Sequence, residues 1–357
     1  MATVADVLDV LASTAPFDKA AGWDPVGLSV GDPRATADKV AVCHDATDAV
    51  IDAAIEAGAG LLVTYHPLLF RPTRRFVAGP DASGRALRLA AAGVALGTVH
   101  TAFDVAPGGA ADSLAAAVGL TDPVGFGPLW GQDSAKVVSF VPQDSADAVA
   151  AAMAAAGAGR IGNYSACSFR SEGVGVYTPS LSASPTVGTP GVANRFTEVK
   201  LEMNAPEGLV DAVVAALVAA HPYEEPAYDV YPRRGDAAML GRAGGIEPTS
   251  LAALTASVAD HLACVPRVAG QSDRTINTAA VLPGAGGDFI TTTTADVVIT
   301  GDVRHHEARR AMENGMAIID AGHAATERPG VRALYSAVSQ VAETADLTAV
   351  DADPWTR

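Results

Sequence analysis

Apolar and polar positions fall into short blocks along this chain, and the blocks predict a layered α/β fold. Residues 3–13 set Val4, Val7, Leu8 and Leu11 at helical spacing. A strand-like run, Lys39–Cys43, is followed by a helix over 46–57 that Gly58 closes, and then by the apolar run Gly60–Thr64. A helix over 82–92 and the run Gly93–Val99 complete a strand–helix–strand–helix–strand rhythm. Runs this short and this uniformly apolar suit strands buried on both faces. The same order returns near the other end, as Ala295–Thr300, a helix over 307–314 and Gly315–Gly322. Between them the texture changes: a strand over 136–142, a helix over 144–156, an alternating strand over 196–204 and a helix over 206–220. The stretch 179–195, rich in Pro, Ser and Gly, reads as a flexible loop. The pattern predicts an α/β core of two related halves, residues 1–127 and 239–357, with an α+β domain inserted at 128–238. Leu240-Gly241-Arg242 would mark the return to the core.

The two halves repeat more than their elements. Gly93–Val99 runs into His100-Thr101-Ala102-Phe103-Asp104, and Gly315–Gly322 into His323-Ala324-Ala325-Thr326-Glu327. Each His-x-x-x-acid is followed by Pro-Gly, at Pro107-Gly108 and Pro329-Gly330. Gly60–Thr64 ends at Tyr65-His66-Pro67, and Ala295–Thr300 leads to His305-His306. Residues just past the ends of buried strands lie where α/β folds build their sites. One such histidine alone is more simply a hydrogen-bonded core residue. Together, His66, Asp104, His323 and Glu327 form a mixed N/O donor set that suits Zn, Mn, Fe or Co better than Mg or Ca. His100 and His305 are candidates for proton transfer or for orienting a ligand. Pro283–Asp288 (PGAGGD) is a loop type that can hold phosphate on its N–H groups, but it lacks the Gly-Lys-Ser/Thr of a nucleotide loop, and an ordinary turn accounts for it.

Composition removes other classes. Forty acidic residues against 24 basic ones give a net charge of −16, which leaves no broad basic face for a nucleic-acid polymer. Cys43, Cys167 and Cys264 are scattered, with neither a disulfide framework nor zinc-finger spacing. The first residues lack a signal-peptide pattern, and apolar runs such as 209–220 are too short to span a bilayer. A cytoplasmic protein is expected.

Assembled, these stretches resemble the Nif-three-like family, often called GTP cyclohydrolase 1 type 2 homologues, in its long form with an inserted domain. The resemblance runs nearly end to end. It is carried by Trp23–Leu28 (WDPVGL), Thr64–Leu68 (TYHPL), His100–Gly109 (HTAFDVAPGG) and Gly157–Phe169 (GAGRIGNYSACSF). His221–Asp229 (HPYEEPAYD), Ile299–Asp302 with His305-His306, and Asp320–Pro329 (DAGHAATERP) extend it. It implies a two-lobed core around a dinuclear metal centre, an inserted ferredoxin-like domain and a homohexamer. The implied metal ligands are Tyr65, His66, Asp104, His323 and Glu327, with two divalent ions per subunit, zinc foremost and iron or manganese next. The sequence departs from the family at Tyr65, where a His-His-Pro run is expected, and at Pro25, where asparagine is usual. A phenol with a pKa near about 10 must lose its proton to bind metal well, so one metal site is expected to be weakened or to select another metal. The implied function is a metal-dependent hydrolase of a small nucleotide-like or phosphorylated substrate. The alternative is a non-catalytic metal-binding regulatory or assembly protein that senses a ligand through its inserted domain.

Overall fold

The computed structural model describes residues 2–131, 133–161, 164–235, 237–351 and 353–355. Met1, and Gly162 and Asn163 of the motif Gly157–Phe169, lie outside them. The chain forms two compact units, one of Met1–Trp130 with Ala237–Arg357 and one of Gly131–Asp236.

The first unit begins with α1 (Val4–Thr14), β1 (Gly27–Val30), β2 (Lys39–Cys43), α2 (Asp48–Glu56) and β3 (Leu61–Thr64). It continues through α3 (Ala82–Ala91), β4 (Ala95–Thr98), α4 (His100–Val105), α5 (Ala110–Ala117) and β5 (Thr121–Trp130). The second unit holds β6 (Ser134–Pro142), α6 (Ala146–Ala155), β7 (Phe169–Tyr177), β8 (Asn194–Pro206), α7 (Val210–Ala220) and β9 (Tyr228–Arg233). The chain then re-enters the first unit with β10 (Ala237–Ser250), α8 (Leu251–His261), β11 (Arg267–Ala269), β12 (Thr275–Ala285) and β13 (Val297–Gly301). It closes with α9 (His305–Glu313), β14 (Ala317–Asp320), α10 (His323–Val338) and β15 (Glu343–Asp346).

Two sheets organise the first unit, in the orders β1-β4-β3-β2-β15 and β11-β14-β13-β12-β10-β5. In each, three consecutive strands run parallel, β2-β3-β4 and β12-β13-β14, and an antiparallel strand flanks the last of them. The repeated order seen in the sequence is thus a repeated topology. Strands β3, β4, β13 and β14 are buried throughout, and β2 from Val40 on, which is why they read as apolar runs without alternation. Helix α1 starts at Thr3, whose side chain accepts from the Asp6 N–H at 3.2 Å while the Asp6 carboxylate accepts from the Thr3 N–H at 2.8 Å.

Helix α10 joins the two halves. Its Ala325 packs into the core beneath the second sheet, with Val281 and Ile299. Two turns on, Val331, Leu334 and Val338 fill the core beneath the first sheet, with Val40, Val42 and Phe103. Each such fully buried side chain contributes about 1.5–3 kcal/mol. Pro329 lies inside α10, whereas Pro107 falls between α4 and α5, so the repeat gives one continuous helix in one half and two in the other.

In the second unit an antiparallel sheet, ordered β7-β8-β6-β9, carries α6 and α7 over a core that includes Val137, Met153, Leu201 and Leu217. The stretch 179–195 is tied down through its middle, at Ser184, Thr186 and Val187. Tyr177 donates to the Val187 carbonyl at 2.6 Å, Thr186 to the Pro222 carbonyl at 2.6 Å, and the Ser184 N–H to Glu224 at 3.0 Å. Its Pro/Ser/Gly composition concealed these long-range bonds. Among the described residues, no helix is long and apolar enough to cross a membrane.

Candidate metal centre

The site is built where three parallel strands end together. Register pairs Cys43 with Thr64 and Thr64 with Thr98, so the next residues of β2, β3 and β4 emerge side by side. The ladder continues past the strands: the Tyr65 N–H donates to the Cys43 carbonyl at 3.1 Å, His66 to His44 at 3.0 Å and His100 to Tyr65 at 2.9 Å. These bonds fix the backbone of three histidines on one edge. From the other half, β14 delivers His323 to the first turn of α10, and Glu327 follows one turn later.

Glu327 is the hub. Its carboxylate is 3% exposed, and histidines from three elements surround it. His44 Nε2 lies 2.7 Å from Oε2, His66 Nε2 3.3 Å from the same oxygen, and His323 Nε2 3.1 Å from Oε1. The rings of His44 and His66 stack with centroids 4.6 Å apart, and His323 lies 5.5 Å from His66. A second tier of carboxylates holds the opposite ring nitrogens. Asp45 sits 3.1 Å from His66 Nδ1, Asp302 2.8 Å from His323 Nδ1 and Asp24 2.9 Å from His100 Nδ1. Such partners fix which nitrogen carries the proton and leave Nε2 facing the centre.

Tyr65 is fully buried and its hydroxyl donates to Asp104, itself buried on α4. His100 packs against both Tyr65 and His66, with ring centroids 6.1 and 5.3 Å away. It adopts φ 29°, and Asp302 adopts φ 53°, both in the left-handed region that most residues avoid. His305 stands apart. It is exposed at the start of α9, and its ring meets His306 at 5.2 Å.

Two glycines make room for the hub. A Cβ on Gly301 would lie 2.5 Å from the His323 nitrogen. One on Gly284 would lie 2.4 Å from Glu327 Oε1. Gly284 belongs to the loop Pro283–Asp288, whose N–H groups at Gly284 and Gly286 already donate to Thr326 at 2.9 Å and Thr300 at 3.0 Å. That loop braces the site, with two of its donors already committed to side chains.

The electrostatics ask for a cation. Burial alone would depress the His66 pKa, yet hydrogen bonds to Asp45 and Glu327 outweigh it and raise the group to about 10. His323 is raised to about 9, again against burial, by its hydrogen bond to Glu327 and that carboxylate's charge. Burial pushes Glu327 upward, but the hydrogen-bonded imidazoles hold it well below the usual range. Burial lifts Asp104 to about 7 and drives Tyr65 well above an ordinary phenol. Protons on the imidazoles thus answer a buried negative charge, and a divalent ion supplies the same charge to donors of the right kind. Two donor groups have their ligand atoms within 4.8 Å of one another: His44 with His66 and Glu327, and His44 with Asp45 and Asp351. The residues present therefore fit a transition-metal ion.

Of the residues singled out in sequence, His66, His323 and Glu327 meet directly, Tyr65 and Asp104 pair beside them, and His100 joins through ring packing. Sequence reasoning missed His44, Asp45, Asp24, Asp302 and Asp351. His44-Asp45 carried a usable signal, because it follows the run Lys39–Cys43 as His66 and His100 follow theirs.

Comparison with known proteins agrees with this architecture. A Mycobacterium tuberculosis protein named GTP cyclohydrolase 1 type 2 homolog is 40% identical over 338 residues, covering 91% of this chain and 88% of that protein. A Bacillus subtilis protein of the same name is 34% identical over 324 residues, covering 89% and 87%. The crystal structure of a Bacillus cereus protein related to NIF3 superposes with a TM-score of 0.67 at 32% identity, covering 100% of this chain and 99% of that one. A Staphylococcus aureus structure at 24% identity shares the fold, with a TM-score of 0.66. The family profile described as Duf34/NIF3 (NGG1p interacting factor 3) matches residues 2–354, and the chain belongs to that family.

Proposed function

We propose that the protein is a metal-dependent hydrolase acting on a small nucleotide-like or phosphorylated substrate. The observation that carries this is the buried Glu327 carboxylate with imidazoles from three elements aimed at its two oxygens. His66, Asp104, His323 and Glu327 would hold the metal, as two divalent ions per subunit with zinc the first choice. A divalent ion held by these residues would supply a Lewis acid and would lower the pKa of a water molecule at the site from about 15.7 toward about 7. Asp45 and Asp302 keep the His66 and His323 rings aimed inward. His100, partly exposed and held at Nδ1 by Asp24, presents Nε2 as the atom that exchanges a proton with substrate. The name borne by the relatives makes GTP the first compound to try, and the family resemblance supports a cytoplasmic homohexamer.

The test is elemental analysis followed by turnover of the metal-loaded protein across nucleotides and phosphoesters. Bound metal and turnover of at least one compound, both lost in Glu327→Ala, are expected. Metal without turnover of any compound, or turnover that survives Glu327→Ala, overturns the hydrolase reading.

A second reading, metal-dependent regulation, is favoured by one observation. The unit Gly131–Asp236 holds a cavity of about 1140 Å³ lined by Phe140, Tyr177, Glu198, Lys200 and Tyr223. Within it Tyr223 donates to Glu198 at 2.8 Å. A small molecule that shifts the amide signals of these residues in the full chain, with no hydrolysis, would favour regulation.

A further inference from the structure

We propose that His44 is a metal ligand in this chain, forming with His66 and Glu327 the donor set that Tyr65 does not complete. The proposal rests on the metal reading above and adds a residue to it.

Tyr65 is turned toward Asp104, and its single hydroxyl hydrogen is committed to that carboxylate. His44 occupies the equivalent place one strand over, at the end of β2, and is 7% exposed. Its Nε2 lies 2.7 Å from Glu327 Oε2, and His66 Nε2 lies 3.3 Å from the same oxygen. Two ligands of one tetrahedral zinc, with bonds of about 2.0–2.1 Å, sit about 3.3 Å apart. The His66 separation is already of that size, and the His44 separation needs to open from 2.7 Å by about 0.6 Å. A plain buried hydrogen bond would also bring His44 to Glu327. What two ligands of a shared ion add is convergence, and here two imidazoles meet one oxygen with their rings stacked at 4.6 Å.

The backbone makes the arrangement rigid. The His66 N–H donates to the His44 carbonyl at 3.0 Å, so the two ligands are locked in register. Asp45, the next residue, holds His66 Nδ1 at 3.1 Å. The dipeptide His44-Asp45 thus supplies one donor and orients another. Glu327 Oε1 and His323 remain on the other side of the carboxylate for a second ion. The tyrosine at position 65 then leaves the centre no poorer in imidazole.

The experiment titrates metal-free full-length protein with zinc and with cobalt chloride, by calorimetry and absorption. His44→Leu should weaken binding by about tenfold or more. His44→Cys should bind cobalt and show a near-ultraviolet sulfur-to-cobalt band that the wild type lacks. That band decides the matter even if the leucine variant misfolds. Leucine-variant affinity within about twofold of wild type, with no new band in the cysteine variant, overturns the proposal and leaves the metal centre standing. Absence of binding by the wild type removes the metal reading itself, and this proposal with it.

Discussion

Gly284 combines two demands that an alanine cannot meet. Its φ of +62° lies in the left-handed region, and the missing Cβ would fall 2.4 Å from Glu327 Oε1 and 3.3 Å from His323 Cε1. Gly284→Ala should cost about 1–2 kcal/mol from the backbone alone, and it should also displace the Glu327 carboxylate. Thermal unfolding and zinc titration would show both losses, and a variant normal in both would mean the loop yields freely. Asp302 holds His323 Nδ1 and is half exposed, and asparagine tolerates its φ of 53°, so Asp302→Asn should leave folding intact while lowering metal affinity about tenfold or more in the same titration. His66, Asp104, His323 and Glu327 were legible in the sequence because a buried strand followed by a histidine, or by a histidine and an acid one turn later, is a local pattern. Asp24 was not legible, since it meets His100 across 76 residues, and nothing local marks such a partner. His305 shows the converse failure. Its position after β13 matched the pattern, but α9 begins there and carries the ring into solvent.

Helix α10 meets α5 at Gly330, where an added Cβ would lie 2.7 Å from the Ala110 Cα and 2.6 Å from its Cβ. Gly330→Ala gains about 0.8–1.0 kcal/mol of helix propensity. It also forces two helices apart, and overpacking of that kind costs about 1–3 kcal/mol. Because the obstacle is backbone and cannot swing aside, the steric cost should win and the urea midpoint should fall; a raised midpoint would show the helices slide easily. The second unit offers a pH test at His221, the C-cap of α7. Its Nε2–H donates to the Phe140 carbonyl at 3.1 Å and its Nδ1 accepts from the Tyr223 N–H at 3.1 Å, which requires a neutral ring. Burial lowers its pKa, against the opposing hydrogen bond to Phe140 and the charge of Glu198. The unfolded chain, with a histidine pKa of about 6.5, therefore takes up the proton first. Stability contributed by His221 is present above that value and is lost as pH falls toward the lower folded-state value. Hydrogen exchange of the β6 amides should accelerate in the acid relative to the intrinsic rate, and His221→Gln should flatten that dependence. Strands β2, β3, β4, β13 and β14 were legible as apolar runs. β5, with two Pro and two Gly, and the exposed β7 and β9 lack both an apolar run and a clear alternation, so pairing rather than pattern defines them.

At the scale of the whole chain, the insertion leaves and returns through one point, because Trp130 of β5 pairs directly with Ala237 of β10. The second sheet is therefore complete without the inserted residues. The candidate metal centre has the opposite character, since no single stretch of chain contains it. His44 and His66 come from the end of the first sheet, and His323 and Glu327 from the helix that follows the second. An ion bound there cannot be held with the same affinity by the unfolded chain, so its binding free energy becomes stability. At free metal near 100 times Kd the gain is about 2.7 kcal/mol. For a unit of this size each kcal/mol moves the midpoint by about 2–4 °C, giving a rise of roughly 5–10 °C on zinc loading. Calorimetry with and without a chelator would measure it. The gain should vanish in Glu327→Ala, while unfolding of Gly131–Asp236, which contributes no donor, should stay where it is. A midpoint indifferent to metal in the intact protein would mean that the histidines and Glu327 fold around their own protons, and the cluster would then be structural.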